Sequence, residues 1–182
     1  MGTLELLALI FGITGIILTI KESIWCWLAD IISVAIQGYV CYKANLLGDS
    51  SLQIFYFISG IYGWVYWKKN YSKNFTVSNM GNKNWAYVIL SVIILSLILY
   101  PILAYFKSDR LIIESVLTAA SLVCTYMMAK KWLENWFFWI LIDLSYVYLY
   151  YLQGLHTMSI LFIIYSSMAY YGYYTWKKQL KK

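Results

Sequence analysis

The stretch YGWVYWKK at residues 62–69 returns as YGYYTWKK at residues 171–178. Extended outward at the same offset of 109, the pairing meets no gap. Glu5 pairs with Glu114, Lys21 with Lys130, Trp27 with Trp136, Tyr39 with Tyr148, Tyr42 with Tyr151, Leu46 with Leu155 and Tyr56 with Tyr165. A constant spacing held over so long a run, with shared apolar patterning, is the mark of a duplicated unit.

Each copy holds three apolar segments, and a seventh lies between them. The segments fall at 4–20, 24–43 and 52–68, then 85–106, then 111–129, 135–152 and 158–176. Each is near the roughly 17–25 residues a helix needs to cross a bilayer. The chain is 62% hydrophobic, 20% aromatic and only 12% charged, whereas a soluble domain carries about 25% charged residues. An all-α integral membrane protein follows, with seven transmembrane helices in a 3+1+3 parallel duplication. The expected division is a first three-helix bundle over 1–69, a cytoplasmic loop and linker helix over 70–109, and a second three-helix bundle with a basic tail over 110–182. The linker segment WAYVILSVIILSLILYPILAYF carries no charge, and Pro101 is expected to kink its outer end.

Orientation comes from the basic residues. Lys21, Lys68, Lys69, Lys73, Lys83, Lys130, Lys131, Lys177, Lys178, Lys181 and Lys182 fall on one side of this layout, and only Lys43, Lys107 and Arg110 on the other. The positive-inside rule then places the C-terminus in the cytoplasm and the N-terminus outside. The net charge of +6 is mostly this topology signal, so no nucleic-acid partner is expected. The first twenty residues lack a basic leader and a small-residue cleavage site and read as a first span. Cys26, Cys41 and Cys124 show no metal spacing and read as reduced packing residues.

Polar and aromatic residues fall on particular helix faces. In the sixth segment Trp132, Trp136, Trp139, Asp143 and Tyr150 recur every three, four or seven residues and share one side, with Asn135 beside them. The matching stripe of the second segment is Trp27, Asp30, Val34, Gln37 and Cys41. The third adds Gln53, Tyr56, Gly60 and Trp67, and the seventh adds Tyr165, Ser166, Ala169 and Tyr173. Intramembrane Asp, Gln and Asn are costly against lipid and should face the bundle interior. Ring faces attract cations at roughly 0.5 to 2 kcal/mol each. A flat, positively charged heteroaromatic ligand suits such a lining, with Gln53, Asn135 and Asp143 left to hydrogen-bond a sugar or an amide. The substrate-binding candidates are Trp27, Gln37, Gln53, Tyr56, Asn135, Trp136, Trp139, Asp143, Tyr150 and Tyr165. The bland alternative is that individual Trp and Tyr residues serve packing or the membrane interface. Glu5 and Glu114 read as solvated or capping, and His156 sits in a short outer loop without a metal or catalytic role. No nucleophile has a base partner and no phosphate-binding glycine loop is present, so neither an enzyme nor an ATP-driven pump is expected, and no cofactor is implied.

IWCW at 24–27 followed by DIISV, GDSSLQIFYF at 48–57, IYGWVYW at 61–67, MMAKKWLENWFFWILID at 127–143 and GLHTMSILFIIY at 154–165 resemble, in order, the signatures of the PnuC family of vitamin transporters. The resemblance covers nearly the whole chain. It implies a SWEET-like fold, a homotrimer in the bacterial inner membrane, and facilitated diffusion of nicotinamide riboside. The substrate would bind at the midplane between the repeats and be trapped by a separate kinase. Thiamine-type and riboflavin-type branches also exist, and thiamine transport by the same fold, or a membrane subunit that transports nothing, are the alternatives. Matched motifs carry over Trp27, Gln53, Tyr56, Asn135, Trp136, Trp139 and Asp143 as substrate contacts. The family commonly has a proline after the tryptophan of WCW and a glycine soon after, where this chain has Leu28, Ala29 and Asp30.

Overall fold

A computed structural model describes residues 2–44, 47–71, 75–106 and 110–180 of the chain. Leu46 of the repeat pattern, and Lys73, Lys107, Lys181 and Lys182 of the charge pattern, lie outside the described residues. Seven helices follow in order: α1 Thr3–Ile20, α2 Trp25–Lys43, α3 Leu47–Asn70, α4 Asn82–Tyr105, α5 Leu111–Ala129, α6 Asn135–Leu152 and α7 His156–Gln179. Each apolar segment of the sequence has become one helix. The differences are at the ends, where α3, α4 and α7 each reach 24 residues by taking in polar flanks. His156, expected in a loop, instead opens α7.

By length and composition α1, α2, α4 and α5 are apolar enough to cross a membrane. In α3, α6 and α7 the Tyr and Trp content, together with Gln53, Asn135 and Asp143, lowers the mean hydropathy. Such rings are at home at membrane interfaces and in helix contacts. On α4, by contrast, Ile89, Ile93 and Leu97 stand outward, Leu97 with 70% of its surface exposed. Pro101 lies in the last turns of α4, and the helix continues past it to Tyr105.

Contacts run α1 on α2, α2 on α3, α3 on α5, α5 on α6, α6 on α7 and α7 back on α1. Six helices thus close a ring, and α4 packs against α5. Hydroxyl groups tie neighbours together at places 109 residues apart. Ser50 Oγ donates to the Gly38 carbonyl at 3.0 Å, and Ser159 Oγ donates to the Val147 carbonyl at 3.1 Å.

The ends of α1 and α5 are built alike. Glu22 and Lys131 both take φ of 53°, the left-handed conformation that commonly closes a helix. After α1, Ser23 N bonds the Leu18 carbonyl and Glu22 N that of Thr19, both at 2.9 Å. After α5, Trp132 N bonds the Met127 carbonyl at 3.1 Å and Lys131 N that of Met128 at 2.9 Å. The segment between α3 and α4 docks on this second turn. Ser78 N donates to the Lys131 carbonyl at 3.1 Å, Leu133 N donates to the Ser78 carbonyl at 2.9 Å, and Glu134 Oε2 accepts from Met80 N at 2.8 Å. Val77 and Met80 are buried there, so part of the expected cytoplasmic loop is packed structure.

Candidate ligand cavity between the two halves

Trp27 and Trp136 stand in the first turn of α2 and α6 and hold the same surroundings. Trp27 lies on Gly63 of α3, and Trp136 on Gly172 of α7. A Cβ added at Gly63 would collide with the Trp27 ring, and one at Gly172 would lie 2.7 Å from the Trp136 ring. Trp67 meets Trp27 edge-on at 5.6 Å and 87°, and Trp176 meets Trp136 at 5.2 Å and 86°. The supporting indoles are anchored crosswise. Trp67 Nε1 donates to the Ala129 carbonyl at 3.0 Å, and Trp176 Nε1 donates to the Ile20 carbonyl at 3.2 Å. Each half therefore holds the other by its own C-terminal tryptophan.

Between these supports lies a cavity of about 330 Å³, a size that suits a small vitamin. Its walls come from both halves at matched places: Ile16 with Thr125, Thr19 with Met128, Trp27 with Trp136, Asp30 with Trp139, Val34 with Asp143, Tyr56 with Tyr165, and Gly60 with Ala169. Gly12, Ser33 and Phe162 complete the lining. Glycines let the walls close up. A Cβ at Gly12 would meet Ser33 Oγ at 3.3 Å and the Tyr165 hydroxyl at 3.8 Å, so α1, α2 and α7 converge there.

The chemistry of the lining is aromatic and acidic. Asp143 is 6% exposed and Asp30 is half-buried. Among the described residues, neither has an ion-pair or hydrogen-bond partner and no Lys, Arg or His lines the cavity. Among the described residues, no group of His, Cys, Asp and Glu is placed to hold a metal ion. Such a chamber can stack a flat ring, neutralise a positive charge, donate or accept hydrogen bonds through Tyr56 and Tyr165, and accept at Ser33, whose hydroxyl donates to the Ala8 carbonyl at 2.7 Å.

The structure brings together Trp27, Tyr56, Trp136, Trp139, Asp143 and Tyr165 of the residues expected from the sequence. It places the other four elsewhere. Gln37 Nε2 reaches Cys41 Sγ at 3.8 Å on its own helix. Gln53 borders a separate cavity of about 310 Å³ between α2 and α3, with Gly38, Tyr39 and Tyr42. Tyr150 stacks on Tyr146 at 6.0 Å and packs against Phe162 at 5.4 Å. Asn135 is fully buried, its Nδ2 donating to the Trp132 carbonyl at 2.6 Å, while its Oδ1 has no partner among the described residues. The sequence reading passed over Asp30, Thr19, Ser33, Thr125 and Phe162 as site residues. Of these only Asp30 carried a signal, three residues beyond Trp27 on the same stripe.

The fold, with four helices apolar enough to cross a membrane, and this chamber fit a multi-pass helical membrane protein. Comparison with known proteins makes the class specific. The sequence profile of the family "Nicotinamide mononucleotide transporter" matches residues 2–178, and the chain belongs to that family. It is 24% identical over 201 residues to the nicotinamide riboside transporter PnuC of Escherichia coli K12, covering 95% of this chain and 84% of that protein. It is 22% identical to the riboflavin/roseoflavin transporter RibM of Streptomyces davaonensis, covering 92% of this chain and 81% of that one. A crystal structure of the vitamin B3 transporter PnuC superposes with a TM-score of 0.79 at 20% identity, over 98% of this chain and 82% of the other. That likeness is one of fold.

Proposed function

We propose that this chain is a uniporter that carries nicotinamide riboside into the cell by facilitated diffusion. The observation that carries the reading is the acidic lining of the chamber. Two acids, Asp30 and Asp143, line it together with Trp27, Trp136 and Trp139, and no basic residue does so among the described residues. A pyridinium ring can stack on indole faces while its charge is met by carboxylate. A phosphate monoester would meet two acids and no cation, so the riboside suits the chamber and the mononucleotide does not. Retention then requires a separate cytoplasmic kinase, whose phosphorylated product the chamber would not take back.

The remaining architecture of the proposal follows from the repeat. Bundles 1–69 and 110–182 would stand in the same orientation about an axis along the membrane normal, with 70–109 supplying loop and linker, in a SWEET-like 3+1+3 arrangement. Rocking of one bundle against the other would expose a midplane site alternately to each side. The basic ends of α3 and α7 support a cytoplasmic C-terminus and an outer N-terminus in the inner membrane. A homotrimer is part of the same proposal. The ten candidates named from the sequence remain proposed contacts, the six that meet in the chamber foremost.

Labelled nicotinamide riboside should exchange saturably across liposomes that contain only this protein, insensitive to protonophore and to salt gradients. No exchange at saturating substrate would sink the reading. Thiamine is the second reading, because its thiazolium offers the same carboxylates a cation on a flat ring. Competition by unlabelled nicotinamide riboside, nicotinamide mononucleotide, thiamine and riboflavin ranks these directly. A subunit without a transport path would show no vitamin-induced rise in thermal stability, since a ligand of the native state must raise it.

A further inference from the structure

We propose that Asp30 is a specificity-determining residue of the chamber, a second charge-reading carboxylate that makes binding depend on the ligand being a cation. The inference rests on the transport reading above and deepens it.

The two carboxylates do not occupy matched places. Asp30 corresponds to Trp139 and Val34 to Asp143, so each half offers one carboxylate and the two differ in level by one helical turn. Four residues of helix rise about 6 Å. A ring lodged between α2 and α6 therefore meets one acid from each side at different depths.

Asp30 is fixed by its neighbour. A Cβ at Gly15 of α1 would fall on the Asp30 carboxylate oxygen, and Gly15 is itself buried. The carboxylate thus lies in a recess that only glycine leaves open. It has no ion-pair or hydrogen-bond partner among the described residues. Asp143 is likewise unpartnered, at 6% exposure. As anions, two uncompensated acids in an aromatic, low-dielectric chamber are unfavourable until a cation enters. A neutral ring of the same outline keeps the stacking on Trp139 but gives neither acid a counter-charge. Discrimination by charge follows.

The test compares the protein with Asp30→Asn and, as a smaller polar variant, Asp30→Ser. The ligands come in cation and neutral pairs of one shape: nicotinamide riboside with its dihydro form, and thiamine with deazathiamine, in which a thiophene replaces the thiazolium. In the unaltered protein the cation of at least one pair should bind about tenfold tighter or more, and Asp30→Asn should cut that preference roughly tenfold while the neutral partner moves within about threefold. An unchanged preference in a variant that still binds overturns the inference. So does loss of both members of a pair in both variants, which would make Asp30 structural. An unaltered protein with no cation preference on either pair also overturns it. A preference seen only with the thiamine pair and lost in Asp30→Asn would uphold the role of Asp30 while refuting nicotinamide riboside as the substrate.

Discussion

The two matched tryptophans and the one beside them play different parts. Trp136 is 3% exposed, seated on Gly172 and met edge-on by Trp176. Truncation would leave a hole that two helices cannot collapse to fill, so Trp136→Ala should lower stability by about 3 to 5 kcal/mol, read as a fall in Tm. Trp139 is half-buried and presents its ring to the chamber. Trp139→Ala should lower Tm by less than Trp136→Ala does, because Trp139 only flanks the buried cluster, and should weaken nicotinamide riboside binding by about 1 to 2 kcal/mol in a titration. The opposite pattern would exchange the roles. Helical spacing puts both residues on one face but cannot say which neighbour covers each. For the same reason it cannot say that Gln37, Gln53 and Tyr150 lie outside this cavity. A stripe is a direction about one axis, and whether it meets a cavity, another helix or lipid depends on helices distant in sequence. Asp30 shows the converse, a residue on the right stripe whose weight appears only once Asp143 is seen to line the same cavity.

At the scale of elements, α2 against α3 and α6 against α7 are set by a glycine under an indole. YG at 62–63 and at 171–172 could be read as a repeat, but its cause is the Trp ring on the adjoining helix, which approaches closer than a Cβ permits. Gly63→Ala should force Trp27 off its seat and cost about 1 to 3 kcal/mol. Adding Trp27→Phe, a smaller ring, should restore part of that loss, and a thermal-melt double-mutant cycle measures the recovery. Additive losses would show that the close approach does not set the packing. Helix number and near-correct ends were legible because each apolar segment makes one helix. The docking of residues 75–80 was not. Its parallel bridge joins Ser78 to the strand-like turn at Trp132, a pairing with no local period to betray it.

Across the whole molecule the halves are tied at the end where α1, α3, α5 and α7 finish. Glu22 and Lys131 occupy matched places, share the same left-handed conformation, and bond to each other at 2.7 Å. Lys131 Nζ also donates to the Phe75 carbonyl at 3.0 Å and lies 4.7 Å from the Trp67 ring. The flanking bonds, Trp67 to Ala129 and Trp176 to Ile20, cross between halves in the same way. Removing one partner of a buried pair leaves the other charge uncompensated. Because the Glu22 side chain is still 19% exposed, Glu22→Ala should cost about 3 kcal/mol, the lower end for such a pair. The exchanged pair, Glu22→Lys with Lys131→Glu, tests whether charge alone is at work. It restores the ion pair but sets a carboxylate against the Phe75 carbonyl and the face of Trp67, both of which favour a cation. The exchanged protein should therefore melt above Glu22→Ala and clearly below the unaltered chain. Full recovery would mean that the ion pair acts alone, and no recovery would mean that the contacts of Lys131 with the docked loop are what hold the two halves together.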